Sequence, residues 1–368
     1  MNILMLVTRR QYRGAEVSAS NLSKQLVNRG YTIFWVGLFK NNKNDLSIQG
    51  ATNADLKGSD SGFINPLKLF DLISFIKKHR IDIIQANGSD TLKYAVFATL
   101  FNKRTKIIYR NISIVSYWIN RSKIKKLFFG WLMSRVNHVV SVGENSRKDF
   151  IETYQYPENK ISVIKRGIPV LALDKQTQKN KLLAEWGLPA ETHILIWAGS
   201  LSKEKNPELM IDIAKDLNEK KISCIILICG KGKMEEKLKD KIAQLNINNI
   251  KLMGYQKELS PLLAAADVLV LTSFVEGIPG IILEAAAQKT PAVASNVGGV
   301  SEALIDKVTG FIVEKHESTL FSEKIIQLLK DKTIYNMISN SAHDYVVENY
   351  NEEKKTDEFV DLYKKLVL

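Results

Sequence analysis

Residues 274–285 of this 368-residue chain read FVEGIPGIILEA. Two glutamates, Glu276 and Glu284, stand eight positions apart in this stretch, with a Gly-Ile-Pro-Gly bend between them. Pro279 is favoured at the first position of a helix, which would turn the backbone N–H groups of residues 280–282 toward the preceding loop. Because helix N-termini bind anions, the stretch predicts a loop carboxylate beside an anion site. Glu284 would stand about one turn further along the same helix.

The stretch resembles the E-x7-E signature of family 4 of the retaining nucleotide-sugar glycosyltransferases, which have the GT-B fold. The similarity continues through residues 291–295 (PAVAS), the glycine pair at 298–299, Glu302 and residues 309–313 (TGFIV). Two glutamates at this spacing occur by chance on many helices, whereas the flanking strand and the glycine pair make the signature specific. The resemblance implies an α/β protein with two Rossmann-like domains, each a doubly wound parallel sheet, that face a cleft.

Size and composition agree with a two-domain globular protein. The length suggests two domains, and no apolar run approaches the ~18 residues of a membrane-spanning helix. The first residues lack a basic region before their apolar run, so they are expected to form a buried strand, not a signal peptide. Cys224 and Cys229 lie on one predicted strand, too far apart for a disulfide, and are expected to be small core residues of a cytoplasmic protein.

The charge is strongly asymmetric along the chain. Residues 1–166 carry 27 Lys and Arg against 11 Asp and Glu, a net charge of +16, whereas the whole chain carries +13. A basic half indicates an anionic partner, which can be nucleic acid, acidic lipid or a phosphorylated acceptor. No nucleic-acid-binding module is recognisable, so nucleic acid is not expected as a partner.

Short apolar runs alternate with helical patterns in both halves, which predicts parallel sheets covered by helices. The strand candidates are residues 3–8, 32–38, 81–86, 106–110 and 138–142, and then 193–198, 224–229, 250–253, 268–271 and 292–294. We expect an N-terminal acceptor domain over residues 1–168 and a donor domain over 169–344. The resemblance implies that residues 345–368 form a helix that crosses back onto the first domain.

Motifs follow the predicted strands, where ligands bind in open α/β sheets. Gly14 resembles the family's glycine loop near the donor diphosphate, with Arg13 where a first glycine is usual. Lys205 matches a family lysine, which implies that it neutralises charge on the leaving diphosphate. Ser200 stands where the family has an arginine. We hypothesise that Arg166 or Arg13 supplies the missing charge.

The resemblance implies Glu276 and Lys205 as the catalytic pair, with Glu276 accepting hydrogen bonds from the donor sugar and Glu284 from the ribose diol. The full donor-binding set is Gly14, Arg166, Ser200, Lys205, Gly232, Tyr255, Glu276, Gly277, Ile278, Pro279, Gly280, Ile281 and Glu284. Ordinary turn chemistry explains Gly232 equally well.

No Asp-x-Asp and no cluster with metal-ligand spacing occurs in the sequence, so metal-independent transfer without a cofactor is expected, with a nucleotide-diphosphate sugar as the donor substrate. The resemblance implies front-face attack, in which the departing phosphate takes the acceptor's proton. The regions where relatives carry a histidine, residues 85–88 and 109–112, have none. All five histidines are expected to be structural, and no general base is assigned.

The acceptor side is predicted from residues 118–136, which read WINRSKIKKLFFGWLMSRV. Basic and aromatic residues interleaved in this way are typical of a segment that lies in an anionic membrane interface. A helix that packs its aromatic side into the core is the alternative. The candidate acceptor and membrane residues are Arg13, Arg110, Asn111, Trp118, Arg121, Lys125, Lys126 and Trp131. A membrane contact would favour a lipid-linked acceptor, such as a polyprenyl-diphosphate sugar, a glycolipid or a lipopolysaccharide core.

The leading hypothesis is therefore a retaining hexosyltransferase of cell-surface polysaccharide or glycolipid synthesis, at the cytoplasmic face of the membrane. A second GT-B activity, such as a nucleotide-sugar epimerase, is an alternative. A catalytically weak binding or scaffold subunit is another, because the arginine and histidine of the family are absent.

Overall fold

A computed structural model describes residues 1–40, 45–58, 64–100, 102, 104–119, 122–170 and 173–367. The chain divides into two compact units, Met1–Gly167 with Glu352–Leu368, and Ile168–Asn351. The first boundary thus falls one residue earlier than the expected 168/169. The second unit ends at residue 351, seven positions beyond the expected 344.

The first unit is a parallel sheet covered by helices. Its elements before the boundary are β1 Asn2–Arg9, α1 Gly14–Asn28, β2 Thr32–Phe39, β3 Thr52–Asp55, α2 Pro66–Lys78, β4 Ile83–Asn87, α3 Ser89–Thr99, β5 Lys106–Asn111, α4 Ser116–Ile119, α5 Lys123–Ser134, β6 His138–Ser141, α6 Glu144–Tyr154 and β7 Ile161–Val163. The strand order is β3-β2-β1-β4-β5-β6-β7, and all neighbours pair in parallel. The order reverses direction between β1 and β4.

The central strand β1 shows why this sheet is buried on both faces. Residues 3–7 are an unbroken apolar run, and each has 0% exposure. Such runs, without polar alternation, are typical of parallel strands that helices cover on both sides. Leu4 and Leu6 pack with α2, α3 and α5 on one face, while Ile3 and Met5 pack with α1 on the other.

The second unit repeats this architecture. Its elements are α7 Lys175–Glu185, β8 His193–Ala198, α8 Leu209–Glu219, β9 Cys224–Cys229, α9 Glu235–Gln244, β10 Ile250–Gly254, α10 Ser260–Ala265, β11 Val268–Leu271, α11 Gly280–Ala287, β12 Ala292–Ser295, α12 Val300–Ala303, β13 Gly310–Val313, α13 Ser318–Lys330 and α14 Lys332–Asn349. The parallel order is β10-β9-β8-β11-β12-β13, so its direction reverses between β8 and β11.

The expected single helix over residues 345–368 is wrong, because the chain breaks at Tyr350. This ring is fully buried, and its hydroxyl donates to the Glu302 carbonyl at 2.6 Å. Its carbonyl accepts from the Ile168 amide at 2.7 Å, which takes it out of a helical hydrogen-bond ladder. A new helix, α15 Glu352–Val367, then belongs to the first unit and packs Phe359 and Tyr363 against its core.

Candidate functional site

The candidate site of the second unit lies where its strand order reverses. The loops after β8 and β11 both leave the carboxyl ends of neighbouring strands. In open α/β sheets this edge is where ligands bind. The two loops carry the residues that the sequence singled out as catalytic.

Lys205 and Glu276 meet across these loops. The Lys205 Nζ is 2.7 Å from the Glu276 Oε1, and the Ser273 hydroxyl donates to the same oxygen at 2.6 Å. The Glu276 side chain is only 9% exposed, whereas that of Lys205 is 28% exposed. Among the described residues, Glu276 Oε2 receives no hydrogen bond. The pair therefore offers one anchored oxygen, one oxygen for a ligand hydroxyl and a cation at the same point.

A buried polar network holds the Lys205 turn in place. Residues 203–205 form a 3-10 turn, which Asn206 ends with a left-handed φ of 48°. The Thr272 hydroxyl, at the end of β11, donates to the carbonyls of Lys205 and Asn206 at 3.1 and 2.8 Å. The Trp197 Nε1 donates to the same hydroxyl at 2.9 Å. These contacts fix the Lys205 backbone to the sheet, so that the lysine is presented from a rigid element.

Glycines allow the neighbouring loops to lie against one another. A Cβ on Gly298, which has φ +52°, would stand 1.9 Å from the Glu276 carbonyl oxygen. A Cβ on Gly232 would stand 2.3 Å from the Leu201 carbonyl oxygen. Gly232 was expected near the nucleotide, but this loop contact alone is enough to require a glycine at that position.

The helix after Glu276 begins one residue later than expected. Pro279 is not its first residue but its N-cap, with φ −73° and ψ 105°, and α11 starts at Gly280. The Ile282 amide donates to the Pro279 carbonyl at 3.2 Å. This leaves the amides of Gly280 and Ile281 as the first donors of the helix end. Glu284 lies on α11, half-buried, so the two glutamates sit on a loop and the helix that follows it.

The other predicted donor residues lie in several loops of both units. Ser200 is exposed after β8, with its hydroxyl 3.4 Å from that of Ser202. Tyr255 follows β10 and is 46% exposed. Arg166 belongs to the first unit, where burial lowers the pKa of Arg110 and the charge of Arg166 lowers it further. Gly277 is exposed, and Ile278 and Ile281 pack against the core.

Sequence reasoning missed one partner of Glu276 and did not place His316 beside this site. Ser273, which binds Glu276, directly follows β11 together with Thr272, and a polar pair at a strand's end is the signal that could have found it. His316 was expected to be structural. Its Nε2 lies 2.9 Å from the Ser273 carbonyl oxygen, and its ring packs on Phe274 with the centroids 4.5 Å apart.

The first unit has its own cavity, also at its strand-order reversal, which we call the first-unit chamber. Its volume is about 980 Å³. One wall comes from the turns that start α1 and α3 and includes Arg13, Gly14, Asn87, Asp90 and Lys93. The other wall comes from β5, α5 and the residues before α5, and includes Tyr109, Val115, Ile124, Lys125, Phe128 and Met133.

Gly14 opens α1 as expected, and Arg13 is its exposed N-cap residue. A Cβ on Gly14 would meet nothing within 4 Å, so packing inside the described chain does not require a glycine there. Gly88, the N-cap of α3, has φ +123° and ψ 165°, a conformation that favours glycine. Two helices of the first unit thus begin at the chamber.

Arg110 and Asn111 do not fit the expected acceptor wall, because both are buried in the first unit. Arg110 is 3% exposed, and its guanidinium donates to the Ser18 hydroxyl at 2.9 Å and lies over Phe359. Burial lowers the pKa of Arg110 to about 10, and the charge of Arg166 acts in the same direction. Asn111 has 0% exposure and donates to the Ser146 carbonyl at 3.2 Å. Both side chains serve packing between the sheet and its helices.

Helix α5 exposes apolar and basic side chains together. Ile124 and Leu127 are 81% and 75% exposed, and Trp131 is 37% exposed. Three lysines, Lys123, Lys125 and Lys126, are exposed beside them. Phe128 and Phe129 turn the other way and pack against the core, so the helix uses both of its faces. Trp118 lies on α4 without a described side chain, and Arg121 lies outside the described residues.

The described residues contain neither a membrane-spanning helix nor a cluster of metal ligands. None of their helices has the length and apolar character to cross a membrane. Within the same ranges, no three His, Cys, Asp or Glu side chains converge as they would around a metal ion. Cys224 and Cys229 are buried and unbonded to each other, and burial raises the pKa of Cys224 to about 11.

Two family profiles match the chain. The profile described as "Glycosyl transferases group 1" matches residues 178–345, and the one described as "Glycosyltransferase Family 4" matches residues 12–170. The UDP-Gal:alpha-D-GlcNAc-diphosphoundecaprenol alpha-1,3-galactosyltransferase of Escherichia coli is 25% identical over 313 residues, which cover 82% of this chain and 79% of that protein. The N-acetyl-alpha-D-glucosaminyl L-malate synthase of Bacillus anthracis is 27% identical over 185 residues, which cover 50% and 48%.

Solved structures share the fold at low sequence identity. Anabaena HepE in complex with UDP-glucose matches with a TM-score of 0.83 at 20% identity, over 99% of this chain and 100% of that one. Sucrose-phosphate synthase from Thermosynechococcus elongatus matches with a TM-score of 0.81 at 16% identity, over 99% and 98%. The profiles reach into both units and agree with these folds, and the chain therefore belongs to the group 1, or family 4, glycosyltransferases with the GT-B fold.

Proposed function

We propose that this protein transfers a hexose from a UDP-sugar to a lipid-linked saccharide in the synthesis of a cell-surface polysaccharide or glycolipid. The contact of Lys205 with Glu276 at the strand-order reversal of the second unit carries the proposal. The Escherichia coli relative, whose name gives a UDP-galactose donor and a diphosphoundecaprenol-linked acceptor, supports the choice of substrates. The complex of HepE with UDP-glucose supports the donor class.

Each group at the site has a role in this reaction. The Glu276 Oε2 accepts a hydrogen bond from a donor-sugar hydroxyl, while Lys205 and Ser273 hold Oε1. The amides at the start of α11 and the Lys205 ammonium stabilise the negative charge that develops on the departing diphosphate. Glu284, further along α11, accepts from the ribose hydroxyls.

We propose that the transfer proceeds with retention of configuration. The bond between the anomeric carbon and the phosphate oxygen breaks, and a bond to the acceptor oxygen forms on the same face of the sugar. The acceptor's proton passes to the departing phosphate oxygen, so no side chain is required as a base. We propose that the reaction is independent of metal ions, since the lysine and the helix end meet the diphosphate charge.

The donor proposal is tested by calorimetric titration of the protein with UDP, GDP and ADP, with EDTA present. We expect UDP to bind and the other two to bind at least tenfold more weakly. Mass spectrometry of reactions with UDP-glucose and UDP-galactose then identifies the transferred sugar. Failure of all three nucleotides to bind would favour the scaffold alternative, and conversion of one UDP-sugar into the other would favour an epimerase.

Because Ser200 stands where the family has an arginine, one positive charge beside the donor diphosphate must come from another residue. We propose that Arg166 or Arg13 supplies it, because Arg13 lies on the segment that resembles the family's glycine loop near the donor diphosphate, and Arg166 is an arginine gained where relatives have an asparagine. Donor turnover is expected to fall in Arg166→Ala. Unchanged turnover in that variant would leave Arg13 as the remaining candidate.

The acceptor proposal includes contact with the cytoplasmic face of an anionic membrane through α5. Each lysine near such a surface contributes roughly 1 kcal/mol, so Lys123, Lys125 and Lys126 changed together to Glu should release the protein from phosphatidylglycerol vesicles. The matched control changes three exposed lysines of the second unit, Lys215, Lys220 and Lys221, to Glu. Sedimentation that both triple variants reduce equally would contradict a specific role for α5.

A further inference from the structure

We infer that the first-unit chamber binds the hydrocarbon chain of a lipid phosphate, and that its mouth opens on the exposed face of α5. The inference rests on the proposed function, because a lipid-linked acceptor supplies such a chain. It goes further than the proposed function, because it places the hydrocarbon chain of the acceptor in a cavity of the protein and not only in the bilayer.

The volume of the first-unit chamber and the residues that line it both favour a hydrocarbon chain over a sugar alone as its ligand. The volume of about 980 Å³ is at the upper end of the range for small-molecule sites, roughly 300–1,000 Å³. One wall presents Val115, Ile124, Phe128, Phe129 and Met133. A sugar hydroxyl against these side chains would lose its hydrogen bonds with water without gaining others, which is unfavourable. A hydrocarbon chain gains free energy at the same wall because it leaves water.

The opposite wall is suited to the phosphate. It contains the starts of α1 and α3, and Gly14 leaves open space where a side chain would stand. Three basic residues and two acidic residues line the chamber, so its lining has a net charge of +1. Arg13 is the exposed cation at the start of α1. An amphiphile with an anionic head and an apolar chain matches both walls, with its head at Arg13.

Ile124 connects the chamber with the surface of the protein. It lines the cavity, yet its side chain is 81% exposed. Leu127 lies one turn further along α5, is 75% exposed and does not line the cavity. The two side chains therefore form a matched pair: both are apolar and exposed on one helix, and one of them borders the chamber.

The test titrates inorganic phosphate, hexyl phosphate and decyl phosphate into the 368-residue protein, without vesicles and below the concentration at which the alkyl phosphates form micelles. For the wild type we expect affinity to rise about fourfold for each methylene that enters the chamber. Ile124→Asp should remove most of this dependence on chain length, because it places a carboxylate at the mouth. Leu127→Asp should retain the wild-type dependence.

Equal affinities for hexyl and decyl phosphate in the wild type, or equal losses in both variants, would overturn the inference. Melting curves and UDP titrations of each variant show whether the fold and the second unit are intact. If the protein transfers sugar but binds hexyl and decyl phosphate with equal affinity, the chamber does not bind a hydrocarbon chain, and the proposed function still holds. If affinity rises with alkyl length but no sugar is transferred, the chamber binds a hydrocarbon chain and the proposed function is wrong.

Discussion

Lys205 and Glu276 are 71 positions apart in sequence, yet a single hydrogen bond of 2.7 Å joins them. Neither residue is informative alone, since a loop lysine and a loop glutamate are common on any surface. The family resemblance selected both, and the placement of β8 beside β11 brings them together. Ser273 and His316 were not selected, because their contacts depend on how three loops pack and no local pattern encodes that.

The first prediction concerns the cation of this pair. Lys205→Ala should lower kcat by about 10²–10³-fold, because one positive group that stabilises the developing charge is lost. Lys205→Arg should recover part of the activity. Lys203→Ala, an exposed lysine in the same turn, serves as the control and should leave kcat unchanged. Steady-state kinetics with a UDP-sugar measures all three, and a Lys205→Ala enzyme with wild-type kcat would rule out this role.

The second prediction concerns the backbone contact at Gly298. Gly298→Ala should displace the Glu276 loop and destabilise the second unit by more than about 1 kcal/mol, because the new Cβ meets a carbonyl oxygen at 1.9 Å and φ is positive. Gly187→Ala is the control. It has φ +63° but nothing within 4 Å, so it should show only the strain of the left-handed conformation. Urea denaturation compares the two, and equal losses would show that the loop contact is unimportant.

At the scale of elements, the interior strands could be predicted, whereas three of the four edge strands of the described sheets could not. The ten predicted strands all appear, and nine of them lie inside a sheet, whereas the tenth, β10, is an edge strand of five residues. The three that were missed, β3, β7 and β13, have three or four residues and lie at sheet edges. Short edge strands have one strand neighbour and need little apolar sequence, so they leave a weak periodic signal.

The break between α14 and α15 was also missed, for a different reason. Residues 345–368 are helical in pattern throughout, with Glu and Lys on exposed positions. Only the burial of Tyr350 and its bonds to Glu302 and Ile168 interrupt the helix. Tertiary contacts of this kind override local propensity.

The third prediction concerns helix α7. Burial lowers the pKa of Lys175 from 10.5 to about 8, with Asp267 acting to raise it and Lys179 to lower it. The ammonium donates to the Ala264 and Ala266 carbonyls and to Thr290. Between pH 8 and 10.5 the unfolded chain binds more protons at this lysine, so the free energy of unfolding rises with pH in that window.

Denaturation of the wild type and Lys175→Met at pH 7.5 and 9.5 tests this sign. The stability of the wild type relative to the variant should rise by about 2 kcal/mol between the two pH values. Lys181→Met, an exposed position on the same helix, should show no such dependence. Burial raises the pKa of Tyr335, so this residue destabilises the unit only above about pH 10. Because both proteins contain Tyr335, it does not affect the comparison. A relative stability that falls with pH would contradict the assignment.

At the scale of the whole molecule, the family resemblance predicted the GT-B class, and the alternation of strands and helices predicted two parallel sheets. The net charge of +16 over residues 1–166 has a physical counterpart in the exposed lysines of α5. Arg110, however, was assigned to a ligand wall from sequence position alone. Its burial under α15 depends on a helix about 240 residues later, which local sequence cannot reveal.

The fourth prediction concerns the division of the chain into two compact units. Phe359→Ala should destabilise the first unit by about 3–5 kcal/mol, because the ring is 2% exposed within its core. UDP binding should persist after that unit has begun to unfold. Phe321→Ala, in the core of the second unit with 0% exposure, should have the opposite pattern. Fluorescence and UDP titration along a urea series distinguish the two, and identical profiles would mean that the units unfold as one.

Helix α15 has a consequence for biosynthesis. The ribosome makes residues 168–351 after the first 167 and before α15. At about 5–20 residues per second, that interval lasts roughly 10–40 s. Throughout it, the pocket that Tyr363 will fill beside Gln85 stays uncovered on the nascent chain. A chaperone that shields apolar surface therefore has its longest opportunity on the half that is translated first.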